Sequence, residues 1–184
     1  MIETENTPNP NTLKFLPGRK VSEIGPIEFI KNEKGITVPL ASKILSLDGA
    51  LMVFFGEDFI TVKKEKNLNW SDLKHGIISE INDYYSKGNN VVVKKIFDKS
   101  TSKLKSNETD EVVNKIKEIL DTKIRPAVAK DGGDITFRSF KDGKVIVELK
   151  GSCSGCPSSI MTLKQGVQNL LCHYITEVKS VEAM

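Results

Sequence analysis

Hydrophobic and polar positions follow two different periods along the chain, and the switches between them mark its elements. Leu13, Phe15 and Leu16 make a short strand that Pro17-Gly18 ends. Within residues 39–47, Leu40, Ile44 and Leu47 recur at helical spacing, and Asp48-Gly49 closes that helix. Residues 50–55 and 59–63 are rich in strand formers and are separated by the turn Gly56-Glu57-Asp58, which predicts a hairpin. Over residues 70–85, Leu73, Ile77, Ile81 and Tyr84 line one helix face, with Asn69 or Ser71 placed to cap it and Gly88 to end it. Val91, Val92 and Val93 predict a final strand.

After Phe97 the pattern disappears. The run that follows is polar and almost without apolar residues, too poor in hydrophobic surface to order itself, so it reads as a flexible linker. The chain therefore divides into a first domain over residues 1–96, a linker over 97–108 and a second domain over 109–184. In the second domain a helix starts near Thr109, where Asp110 and Glu111 suit the positive end of its dipole. Val112, Val113, Ile116, Ile119, Leu120 and Ile124 form its apolar stripe, Pro126 kinks or restarts it, and Lys130-Asp131-Gly132-Gly133 ends it. Ile135 and Phe137 alternate as a strand. Asp142-Gly143 is a strong hairpin turn, and Val145, Val147 and Leu149 alternate with Lys144, Glu148 and Lys150 in a second strand. The last helix places Ile160, Leu163, Val167, Leu170, Leu171 and Tyr174 on its buried side, and residues 177–184 read as a short tail. The fold class is α+β: two small α+β domains, the second in the order helix, strand, strand, CxxC, helix.

Composition narrows the function classes. A net charge of +3 over 184 residues is too small to argue for nucleic acid, and nearly all the positive charge is Lys, with Arg only at positions 19, 125 and 138. No apolar run approaches the roughly 20 residues needed to span a bilayer. The first twelve residues are neither apolar nor basic, unlike a signal or transit peptide. Three cysteines without framework spacing argue against a secreted disulfide scaffold and for a reducing compartment. That compartment is expected to be cytoplasmic, a bacterial-type cytosol, or the mitochondrial matrix if a transit peptide has been removed. The first domain offers no nucleophile–base pair, paired carboxylates or phosphate loop, and His75 reads as a surface histidine.

The chemistry concentrates in residues 151–159, Gly-Ser-Cys-Ser-Gly-Cys-Pro-Ser-Ser, between the second strand and the last helix. Cys153 and Cys156 form a CxxC pair. The unpaired N–H groups and dipole at a helix start favour negative charge, so a thiolate at Cys156 is expected to have a lowered pKa. Gly151 and Gly155 allow a tight turn and close approach to a bulky ligand, and Pro157 fits the first helical position. A structural zinc or a cubane cluster usually takes four protein ligands. The other soft or imidazole candidates are Cys172, His75 and His173, and none makes a second pair. Cys172 reads as a small buried hydrophobe and His173 as a packing or helix-capping residue. A metal here is incompletely ligated or completed by another molecule, most economically a second copy of the chain. A thiol–disulfide oxidoreductase and a zinc-stabilised interaction module are the alternatives; too little sequence follows the motif to complete a thioredoxin-like fold.

These residues carry a family resemblance. Asp131-Gly-Gly-Asp-Ile135, the strand pair, the CxxC loop and Thr162-Leu-Lys resemble the NifU C-terminal (Nfu) domain. Thr4-Glu-Asn-Thr-Pro-Asn-Pro-Asn-Thr-Leu-Lys-Phe-Leu-Pro17 resembles the domain that precedes it in Nfu proteins. The resemblance implies a non-enzymatic iron–sulfur carrier or scaffold whose labile 4Fe-4S cluster is held by Cys153 and Cys156 of two subunits and passed to apo-proteins. It also implies a homodimer or higher assembly, upstream assembly proteins and apo iron–sulfur clients as partners, and a partner-recognition role for the first domain. Neither nucleic acid nor membrane is expected as a partner. The CxxC loop is expected to lie outside the core, so that Ser at either cysteine leaves both folds intact.

Overall fold

The computed structural model describes residues 1–94, 108–154 and 156–184, with the side chains of 108–110 and 157–159 left aside. Two antiparallel-rich sheets, each with its own helices, make an α+β molecule as the sequence predicts. The first sheet takes the order β1 (Glu3–Asn6), β2 (Thr12–Leu16), β5 (Ile60–Lys64), β4 (Ala50–Phe55), β3 (Ile27–Ile30). The hairpin of β4 and β5 forms with Phe55 opposite Ile60, as the turn residues require. Strand alternation sends Leu13, Phe15, Val53, Phe55, Ile60 and Val62 to one face, against α1 (Pro39–Ser46) and α2 (Trp70–Ser86). Leu40, Ile44, Ile77 and Ile81 fill that layer and are fully buried.

Two of the strands, β1 and β3, go beyond the sequence reading. β1 is three-quarters charged or amide residues, and it sits at the sheet edge, where polar side chains blunt unwanted pairing. At residues 91–93 the predicted strand shrinks to one parallel bridge between Val93 and Ser22, although Val92 and Val93 are buried. Asn69 occupies the N-cap of α2 but makes no side-chain cap hydrogen bond. Gly88 ends α2 with φ +83°, and His75 is exposed. Of the predicted linker, residues 97–107 lie outside the described residues.

The second sheet has the order β6 (Gly133–Lys141), β7 (Lys144–Gly151), β8 (Ser180–Ala183). Asp142 and Gly143 turn the β6–β7 hairpin with φ +51° and +78°. α3 (Glu108–Ile119) runs into a π-helical turn over Leu120–Ile124 and then α4 (Arg125–Lys130), which has Pro126 in its first turn. Pro126 has no N–H to give and crowds the turn before it, and the wider π turn accommodates both faults. Ile116, Leu120, Ile124 and Val128 still face one core, with Ile135, Val145, Val147 and Leu149 from the sheet.

The end of the chain corrects the sequence reading. α5 (Pro157–Tyr174) buries Val167 and Leu171, but Tyr174 is 52% exposed, and the next residue, Ile175, takes the core position. Residues 177–184 are no tail: β8 pairs parallel with β7, and Val178 and Val181 are buried.

The two domains touch. Met52, Phe54 and Phe59, on the face of the first sheet turned away from α1 and α2, pack with Leu16 and with Ala129 of the second domain. Phe54 is fully buried.

Candidate metal centre

β7 delivers the chain to the cysteines. Its last residue, Gly151, has φ +69°, and a Cβ there would meet the Gly132 carbonyl oxygen at 2.6 Å and the Phe54 ring at 3.2 Å. Only glycine satisfies both demands. The chain then turns on itself, with the Ser154 N–H (3.2 Å) and hydroxyl (2.9 Å) both donating to the Gly151 carbonyl. Cys156 is the N-cap of α5, and its carbonyl accepts from the Ile160 N–H at 3.0 Å, so the predicted helix start holds. Gly155 lies outside the described residues.

The Asp131-Gly132-Gly133-Asp134 segment, punctuation in the sequence, forms the wall behind the pair. The Ser152 N–H donates to the Gly132 carbonyl at 3.2 Å, and the Ser152 hydroxyl donates to the Asp131 carbonyl. A Cβ on Gly133 would lie 2.8 Å from Cys153 Sγ and 2.7 Å from the Lys150 carbonyl oxygen. Asp134, nearly buried, is gripped by the Arg125 guanidinium through two bonds of 2.8 and 3.0 Å, which ties the start of β6 to α4. That pairing raises the Arg125 pKa above its ordinary value, with the Asp134 hydrogen bond the leading cause.

The two cysteines differ in setting. Cys153 is 5% exposed and belongs to the second core, alongside Leu149 and Val167. This corrects the expectation of a loop outside the core: the turn after β7 folds Cys153 back onto Gly133, where the missing side chain leaves room for sulfur. Burial pushes the Cys153 thiol up to about 11, the Ser152 hydroxyl (3.9 Å) works against that, and Asp131, Asp134 and Cys156 add to it. Cys156 is half-buried. Cys172 is half-buried against the core on α5, and His173 is exposed against Tyr174. Among the described residues no group of three or more His, Cys, Asp and Glu is placed to hold a metal ion. The turn thus brings Cys153 and Cys156 close enough to interact electrostatically.

Residues of the first domain reach this place, which spacing in sequence could not reveal. Asn9 Nδ2 donates to the Ser152 carbonyl at 3.3 Å, Thr61 Oγ1 to the Gly132 carbonyl at 2.8 Å, and Lys14 Nζ to the Lys130 carbonyl at 3.4 Å. The Gly151 N–H donates to the Glu28 carboxylate at 2.7 Å. Pro8 lies at the rim of a cavity of about 460 Å³ whose wall includes Cys153, Ile124, Val128, Leu163 and Val167.

Residues 2–88 match the family model "Scaffold protein Nfu/NifU N terminal", and residues 116–182 match that of the "NifU-like domain". The chain is 47% identical over 182 residues to the human "NFU1 iron-sulfur cluster scaffold homolog, mitochondrial", across 98% of this chain and 70% of that protein. The chain belongs to the Nfu family. Other Nfu-family relatives include "NifU-like protein 4, mitochondrial" of Arabidopsis thaliana, 44% identical, with 98% of this chain and 65% of that protein aligned. The homologue of Drosophila persimilis that carries the same name as the human protein is 46% identical, over 98% of this chain and 64% of its own length. The chain thus spans roughly two thirds of the length of these Nfu relatives. No helix among the described residues is long and apolar enough to cross a membrane.

Proposed function

We propose that this Nfu-family chain is an iron–sulfur cluster carrier or scaffold, with Cys153 and Cys156 as its ligands. The observation that carries the reading is the half-site: two cysteines at a strand-to-helix turn, with no further ligand group of three or more gathered among the described residues. Two copies supply two plus two thiolates, the set a 4Fe-4S cluster takes. The name of the human relative, an iron–sulfur cluster scaffold homolog, supports the cluster as cargo. The cluster moves by ligand exchange, client cysteines replacing Cys153 and Cys156 in turn, so the protein is a carrier and not an enzyme. Upstream assembly proteins load it and apo iron–sulfur proteins receive from it.

The division into residues 1–96 and 109–184, joined by 97–108, belongs to the same proposal, with the second part binding the cluster. The compartment is reducing; the relatives' mitochondrial names fit the matrix, and a bacterial-type cytosol meets the same chemical need. The test is Cys153→Ser and Cys156→Ser in the full chain, reconstituted anaerobically with iron and sulfide. Either substitution is expected to remove bound iron and the visible absorbance. A Cys156→Ser protein that still assembles a full cluster sinks the ligand assignment.

A further inference from the structure

The first domain's bonds onto the second converge on two short backbone stretches, residues 130–132 and 151–152, which flank Cys153. Asn9, Lys14 and Thr61 bring three donors to three carbonyls there, and Glu28 brings an acceptor to the one N–H. Phe54 supplies an apolar platform against Gly151, and Thr61 and Thr7 fit over Gly132, each within about 3 Å of where a Cβ would stand. Every one of these polar partners on the second domain is a main-chain group, so the surface reads the course of the loop and not its side chains.

We propose that the first domain is an intramolecular clamp on the cysteine loop. Cys153 is 5% exposed, in the wall of a cavity that Pro8 of the first domain helps to line. Residues 151 and 152 are held by Glu28 and Asn9 of the first domain as well as by Gly132 and Asp131 of their own. Releasing the first domain's bonds therefore loosens the loop around Cys153. The clamp also gives work to Thr7-Pro8-Asn9-Pro10-Asn11. Within that turn Thr7 Oγ1 donates to the Asn9 carbonyl at 2.9 Å and the Asn11 N–H to Asn9 Oδ1 at 3.0 Å, which aims Asn9 Nδ2 at Ser152. Release of the clamp precedes ligand sharing between two copies; this last step rests on the carrier reading, and the clamp itself does not.

Two single variants of the full, reduced, cluster-free chain test it. Thr61→Val keeps shape and strand preference but removes the donor to Gly132. Glu28→Ala removes the acceptor at Gly151 from a different strand. Iodoacetamide labelling resolved by mass spectrometry reads Cys153, with Cys156 as internal reference, and hydrogen exchange reads the Gly151 N–H. Removing one of the two donors to the Gly132 carbonyl, or the carboxylate acceptor at the Gly151 N–H, weakens the docked state enough to speed Cys153 labelling about tenfold. Cys156 labelling is expected to stay within about twofold, and the Gly151 N–H to lose protection in Thr61→Val, which does not touch it. Unchanged Cys153 labelling in both folded variants overturns the clamp, as does equal acceleration of both cysteines. Labelling needs no cluster, so a failure of the carrier reading and a failure of the clamp give separate results.

Discussion

Gly133 and Cys153 are neighbours in space and twenty residues apart in sequence, and the site turns on that contact. A methyl group at Gly133 would press on Cys153 Sγ and on the Lys150 carbonyl at once, and the backbone partner cannot move aside cheaply. Gly133→Ala is therefore expected to cost about 1–3 kcal/mol of stability and to lower iron loading; thermal unfolding with an iron assay checks both. Burial of Cys153 sets a pH dependence. Its folded pKa, about 11, lies above the ordinary 9.0, so between those values the folded chain keeps a proton that the unfolded chain has lost. This contribution to stability is whole below pH 9 and disappears as pH rises through about 11. Labelling of Cys153 across pH should reach its half-maximum near 11, and a midpoint near 9 would remove burial as the controlling cause. At this scale the sequence was legible for the CxxC pair and Gly151, because helix start, strand end and spacing are local signals. Asn9, Glu28 and Thr61 were not legible as site residues, since their partners come from another domain.

At the scale of elements, helical periodicity located α2 and α5 and strand alternation located β7, because each buries one face. The same reasoning placed Tyr174 inside, whereas α5 stops there and the buried position passes to Ile175; Tyr174 keeps contact with Lys123, whose Nζ sits 5.2 Å from its ring. Leu171→Ala should cost about 2–5 kcal/mol, while Tyr174→Ala should cost no more than about 1 kcal/mol, the worth of an exposed cation–π contact. Chemical denaturation of the two variants measures the difference, and equal losses would contradict the helix end described here. β8 escaped notice because it is only four residues long, with Val181 its one buried side chain, and because a parallel partner reached across α5 leaves no local turn signal. Val181 is fully buried. Removing residues 177–184 should lower the thermal midpoint of the second domain, since it uncovers Val145 and Val147 on β7.

At the scale of the molecule, the order of elements and the two α+β units followed from pattern and turn chemistry, but their contact did not. Phe54 shows why: it reads as one more strand hydrophobe, yet it faces away from the helices of its own domain and is covered by the other. The sequence predicts a linker between the domains and carries no signal for contact; hydrogen bonds around the cysteine loop join them. The central claim is that each copy brings half of a cluster site. Anaerobic reconstitution of the full chain with iron and sulfide, followed by iron and sulfide counts and sedimentation of the apo and loaded forms, tests it most directly. The account predicts an apo monomer and a coloured dimer or larger assembly with about four irons per two chains. A colourless monomer, or a monomer holding a full cluster alone, would contradict it.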